Sequence, residues 1–231
     1  MSSYESPAHF LGAVFSGNKG YVDKHRPVLE TLKAGQNPDA VFLFCADSRV
    51  PQELFGEHRP GTIFSPCNAG NQLGVLLGTA QYGILHTGPK VLAVVGHSDC
   101  GAIKAVRGDY SNEPAGIQAE LDALKPAVDP EKNQFLSGID MEGTDDMTIA
   151  KIAQANVDYQ VAQAVALSEF NGLVERGKLM IIGMMIDTKG VFGGYPSQLY
   201  VVNINGMNTE EQIKAKMEDG LADIVTEVKR I

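Results

Sequence analysis

Tryptophan is absent from this 231-residue chain, and cysteine is scarce, with three copies. So small and odd a number of thiols does not make a disulfide-stapled secreted scaffold, and a chain of this length buries enough core without one. The thiols are expected to be free or on a metal, in a reducing compartment. No apolar run approaches the ~18 residues that a membrane span requires. The opening MSSYESPAHF lacks a positively charged start followed by an apolar run, so no secretory signal is visible. Cations are outnumbered, 19 Lys and Arg against 28 Asp and Glu, for a formal charge of −9. With no basic stretch either, nucleic acid and anionic membrane surfaces are excluded as partners. Neither G-x-G-x-x-G nor G-x-x-x-x-G-K-[ST] occurs, which removes the usual phosphate loops of nucleotide-binding proteins. What is left is the composition of a soluble, cytoplasmic protein, 44% apolar and 20% charged.

Apolar residues are arranged in short blocks. AVFLFC (40–45), KVLAVVGH (90–97) and KLMIIGMMID (178–187) are continuous enough to predict strands buried on both faces. TIFSPC (62–67) reads as a weaker strand, pushed to an edge or an end by Pro66. LYVVNI (199–204), after a glycine-rich turn, reads as an edge strand. Between them the period lengthens. Residues 21–34 predict a short amphipathic helix, and Leu73, Leu76, Leu77, Ala80 and Ile84 share a helical face closed by Gly88-Pro89. Residues 147–171 carry an i+4 row from Ile149 to Val165, and Ile213, Met217, Leu221, Ile224 and Val228 predict a closing helix. Residues 108–146 are richer in Gly, Pro and acids and read as an excursion. The expected class is α/β: a mostly parallel central sheet, with about four parallel strands plus an edge strand, flanked by helices. One domain is expected throughout, with a helical arm over 1–38, an α/β core over 39–204 and a helix over 205–231.

Ligands in such folds collect beyond the carboxyl ends of the strands. Cys45, His97 and Cys100 all fall there. Thiolate and neutral imidazole are good zinc ligands, and three protein donors leave one tetrahedral position open, as in catalytic rather than structural sites. Two thiolates cancel the charge of the ion and acidify its water less than three histidines do, so a neighbouring group is needed to orient the nucleophile. Asp47 and Arg49, alternating after Cys45, suit that task as a rigid ion pair pointing to one side of an extended segment, although Asp47 could instead swing onto the metal and block the open position.

Through CADSRVP (45–51), NAGN (68–71) and GHSDCGAIKA (96–105), the sequence resembles the β-class carbonic anhydrases over most of its length, least in residues 108–146. That resemblance implies a parallel sheet with an added edge strand, and a homodimer or higher oligomer in which an N-terminal helical segment embraces the partner. It implies reversible hydration of CO2 to bicarbonate and a proton by hydroxide on zinc. Carried over residue by residue, Cys45, His97 and Cys100 hold the metal, while Asp47 and Arg49 form the orienting dyad. Gln36 matches a glutamine reaching the substrate pocket, Phe64 and Tyr82 match its apolar wall, and Gly101 could offer a backbone N–H. An apolar wall suits CO2, which has no net dipole. One departure stands out: the family usually reads Arg-Asn where this chain has Cys67-Asn68. The missing arginine, like the missing tryptophan, belongs to a non-catalytic bicarbonate site, so control through that site is not expected here.

Each residue also has a plainer account. Cys67 is expected to be a buried inert thiol; as a fourth ligand it would close the coordination sphere. Phe64 and Tyr82 can be core, Gln36 a loop glutamine, and Asp47–Arg49 a surface pair. His86 and His58 titrate near neutrality but nothing in their spacing selects them as proton shuttles. Rival functions are a carbonyl sulfide or carbon disulfide hydrolase on the same metal, a thiol enzyme using Cys100 with His97 as base, and a non-enzymatic protein with structural zinc.

Overall fold

A computed structural model describes residues 4–56, 59–217 and 227–231. A single six-stranded mixed sheet organises them, in the order β2-β1-β4-β5-β6 with β3 also paired to β1. β1 (Ala40–Cys45), β4 (Val91–His97) and β5 (Met180–Asp187) form its parallel centre. β2 (Ile63–Phe64) and β3 (Cys67–Asn68) run parallel to β1 on one side, and β6 (Gln198–Ile204) closes the other edge antiparallel to β5. TIFSPC is thus split into two short pieces around Pro66, which has no N–H for the ladder but accepts from the Phe44 N–H at 3.2 Å.

The central strands are apolar up to the His97 and Asp187 that end β4 and β5, because both faces are covered. Val41, Leu43 and Cys45 of β1 and Leu92 and Val94 of β4 face one core, shared with α2 (Leu77–Thr87), α4 (Ala115–Leu124) and α5 (Asp146–Ala166). Phe44, Ala93, Val95, Ile182 and Ile186 face the other, closed by Ile213 and Met217 of α7 (Glu210–Met217) and by Val228. The alternation is that of a pleated strand. Gly96 lies where β4 meets α5: a Cβ there would come within 2.5 Å of Val157 Cγ2 and 3.0 Å of Met185 Sδ. Two short helices complete the layers, α3 (Gly101–Val106) directly after Cys100 and α6 (Ser168–Glu175) after α5.

Several expectations are corrected. The first helix, α1 (Pro7–Leu32), is not short: Ser6 caps it by accepting from the His9 N–H at 3.1 Å, with Pro7 in its first turn, and it runs on through Pro27. None of its residues is buried, and Phe10, Leu11, Val14, Phe15 and Tyr21 stand exposed. α2 begins at Leu77 rather than near Leu73, because residues 73–76 form a turn (Leu76 N to Leu73 O, 3.0 Å). Gly88, left-handed at φ 66°, ends it as anticipated. At the far end Val228 is not helical; it bridges Val201 in parallel fashion, while Leu221 and Ile224 lie outside the described residues.

α5 is unusual in burying polar side chains. Asp158 is fully buried, and it accepts from Asn203 Nδ2 at 2.7 Å and from Arg230 Nη1 and Nη2 at 3.1 and 2.7 Å. Asn156 Nδ2 donates to the Gly70 carbonyl at 3.0 Å, and Gln160 Oε1 accepts the Leu73 N–H at 2.9 Å. One helical turn apart on α5, these two amides hold the loop after β3.

Candidate metal centre

Because β1 and β4 are parallel neighbours, their carboxyl ends lie side by side, and the fifty residues between them vanish as a distance. Cys45, the last residue of β1, and His97, the last of β4, meet Cys100, which precedes α3. Their three donor atoms lie within 4.8 Å of one another, and the two sulfurs are 4.0 Å apart. Zn–S bonds of ~2.3 Å at a tetrahedral angle put two sulfurs about 3.8 Å apart, so the spacing suits one ion. All three side chains are buried.

His97 is poised by its neighbours. Its Nδ1 faces the Ser98 carbonyl at 2.9 Å, and Thr188 Oγ1 donates to that same carbonyl at 2.6 Å. Ser98 Oγ in turn donates to the buried Asp187 at 3.0 Å. With the Nδ1 proton on the carbonyl, Nε2 carries the lone pair, and Nε2 is buried without a hydrogen-bond partner among the described residues. A buried polar atom left unpaired costs about 1–3 kcal/mol, a penalty that a bound cation removes. The sulfurs are likewise incomplete. The Cys100–Cys45 hydrogen bond outweighs burial and, helped by His97 and the Gly70 N–H, holds the Cys45 thiol well below its ordinary range. The same hydrogen bond and burial push Cys100 up. A divalent ion bound there would displace thiol protons. The residues therefore fit a zinc-type ion.

Asp47 and Arg49 arrive beside this cluster on a turn rather than an extended segment, since Val50 N donates to the Asp47 carbonyl at 2.9 Å. The turn does what the strand was expected to do. Arg49 donates from its backbone N and Nε to Asp47 Oδ1, both at 2.9 Å, and from Nη2 to Oδ2 at 2.7 Å. Those bonds, chiefly from the guanidinium, keep the Asp47 carboxyl well below the usual range and hence ionised. Asp47 Oδ2 reaches to 3.9 Å from His97 Nε2, which places the acid beside the donor set.

The remaining residues are spread out. Phe64 packs on Gly83 and Val41 and lies 6.3 Å, ring to ring, from Tyr82, which is half exposed and in turn 5.2 Å from His86. Gln36 is exposed in the segment between α1 and β1, and Gly101 borders a cavity of ≈ 390 Å³ with Ala102, Ala105 and Ile117. His58 lies outside the described residues. Cys67 is exposed, not buried as its apolar context suggested, because β3 is a two-residue strand whose alternate position faces out. Cys45, not Cys67, is the buried thiol next to β3, and it receives the Gly70 N–H at 3.4 Å. Gly70 has φ 81°, and a Cβ there would approach Leu124 Cδ2 to 2.9 Å. Sequence reasoning missed Asp99, Asn156, Gln160 and Gly70. Asp99 and Gly70 left a signal, as an acid inside H-x-x-C and as the glycine of NAGN.

A family model described as "Carbonic anhydrase" matches residues 40–191 of the chain. A carbonic anhydrase of Helicobacter pylori is 34% identical over 106 residues, which cover 42% of this chain and 48% of that one. The chain thus spans about half the length of such curated relatives. Among solved structures, the β-carbonic anhydrase CcaA superposes with a TM-score of 0.69 at 22% identity, covering 84% of this chain and 86% of the other. One of two tetrameric β-carbonic anhydrases from Sordaria macrospora superposes with a TM-score of 0.68 at 21% identity, covering 87% and 98%.

Proposed function

Since the chain belongs to the carbonic anhydrase family and has the fold of its β class, we propose that it catalyses CO2 + H2O ⇌ HCO3⁻ + H⁺ at a zinc ion held by Cys45, His97 and Cys100. The observation that carries this reading is the convergence of those three donors within 4.8 Å, with His97 Nε2 unpartnered and an ionised Asp47 3.9 Å from it. When bound, zinc supplies a water acidified enough to act as a nucleophile near neutral pH. The chain supplies the rest. Arg49 keeps Asp47 ionised and aimed, and Asp47 Oδ2 accepts the O–H of the attacking water, which turns the oxygen lone pair toward the carbon. Burial of the three donors keeps bulk water from competing at the ligand positions.

The substrate wall is proposed to comprise Gln36, Phe64, Tyr82 and Gly101, completed on self-association. What supports this is that Phe10, Leu11, Val14, Phe15 and Tyr21 of α1 and Tyr82 and Leu85 of α2 are exposed large hydrophobic side chains. A homodimer or higher oligomer follows; the relatives from Sordaria macrospora are described as tetrameric. No helix among the described residues is long and apolar enough to cross a membrane, and free buried thiols suit the reducing cytoplasm.

The test is stopped-flow CO2 hydration with metal content measured alongside. The zinc-loaded protein and Asp47→Ala should each hold one zinc per chain, with the variant slower by about 10²-fold or more. Equal rates remove Asp47 from the mechanism, and an inactive zinc-loaded parent removes the proposal.

A further inference from the structure

Asp99 falls between two of the metal donors, yet the reading above gives it no task. Its backbone is left-handed, φ 61°, a conformation that costs most residues ~1 kcal/mol and that Asn and Asp tolerate best. The turn delivers its side chain, 12% exposed, to Arg49. Asp99 Oδ2 accepts from Arg49 Nη1 at 2.7 Å, and the Asp99 carbonyl accepts from Nη2 at 3.1 Å. Arg49 already gives Nε and Nη2 to Asp47. The guanidinium is therefore held along two edges by two acids.

Asp99 is itself anchored from behind. Lys104 donates to its Oδ1, and Lys189 lies 3.9 Å from Oδ2 and 3.4 Å from Asp146. The result is an alternating array, Asp47–Arg49–Asp99 backed by Lys104, Lys189 and Asp146, with as many cations as carboxylates. Arg49 is 45% exposed. An arginine that exposed, paired with one carboxylate alone, keeps much of its rotational freedom, and such pairs stabilise little. Gripping the second edge removes that freedom.

We propose that Asp99 is a positioning residue for CO2 hydration: it immobilises the Arg49 guanidinium and thereby fixes the direction of the Asp47 carboxylate. The kinetic consequence rests on the hydration reading, but the lock joins side chains of the chain itself and is tested by a readout that needs no activity. Asp99→Asn keeps the left-handed turn and one acceptor oxygen, whereas Asp99→Gly keeps the turn and removes the side chain.

The first measurement is ¹⁵N spectroscopy of metal-free protein labelled at arginine. Arg49 Nη hydrogens should be separately resolved in the parent, because rotation about the Cζ–Nη bonds is blocked, and should merge in both variants. In the zinc-loaded enzyme Asp99→Asn should lower kcat about tenfold, with KM within about twofold and one zinc per chain retained. In an Arg49→Lys background the same change should cost less than about twofold, since the group through which Asp99 acts is gone. Resolved Arg49 signals that persist in both Asp99 variants, or losses that multiply in the Arg49→Lys background, overturn the proposal. If the parent does not hydrate CO2, the hydration reading falls by itself, and the spectra still decide whether Asp99 holds Arg49.

Discussion

Replacing Arg230 by methionine should destabilise the protein far more than removal of a surface charge does. Arg230 donates from both Nη atoms to Asp158 and from Nη1 to the Val202 carbonyl. Its side chain is 18% exposed, whereas Asp158 is 0% exposed. That asymmetry sets the magnitude. An arginine stripped of its partner still reaches water, but a carboxylate stripped of its partner at that depth does not, and leaving one buried charge uncompensated costs about 3–5 kcal/mol. For a chain of this size each kcal/mol lowers Tm by about 2–4 °C, so the loss should be roughly 6–20 °C. Burial raises the Asp158 pKa even with Arg230 opposing it. A raised carboxylate favours the folded state most below the unfolded value near 4 and progressively less as pH rises through the folded value. Removing the guanidinium raises it further. The deficit of Arg230→Met should therefore be largest at pH 7 and shrink toward pH 4.5, and Asp158→Asn combined with Arg230→Met should recover most of it. Circular-dichroism melts at both pH values and one fixed protein concentration measure this. A Tm within 2 °C of the parent at pH 7, or the same deficit at both pH values, refutes the reasoning.

Two further outcomes follow from packing. Gly96→Ala drives a Cβ to 2.5 Å from Val157 Cγ2 one residue before His97; it should cost about 1–3 kcal/mol and drop zinc below one per chain by elemental analysis, with Val157→Ala restoring the metal. Phe15→Asp, at a side chain 73% exposed on α1, should weaken self-association at least about tenfold by light scattering while leaving the monomer folded; an unchanged mass would show that α1 is not the contact.

The legible part of the chain was the part whose signal is local. AVFLFC and KVLAVVGH announce buried strands because nothing polar interrupts them, and the chemistry of Cys45, His97 and Cys100 is readable because thiol and imidazole have few other reasons to sit at strand ends. The corrections share one cause. α1 was cut short because its apolar residues have no covering partner within the chain, so no clean stripe marks its first half. Asp47 and Arg49 lie on a turn rather than on the expected extended segment, since the Asp47–Val50 hydrogen bond is invisible in the letters. Cys67 looked buried because TIFSPC looked like one strand. Arg230 left no trace at all: its partner lies 72 residues away, and a single arginine near apolar residues reads as surface.

The amides of α5 bear on what a motif can certify. Asn156 and Gln160 hold the loop whose Gly70 N–H rests on the Cys45 sulfur, yet they stand 86 and 87 residues downstream of the residues they bind and match no signature. A descendant that retained every letter of C-x-D-x-R and H-x-x-C but exchanged those two amides for leucines would still be recognised by pattern, while the peptide beside its first thiolate had come adrift. Inheritance of the site is in this way spread over a helix that carries none of its three donor atoms.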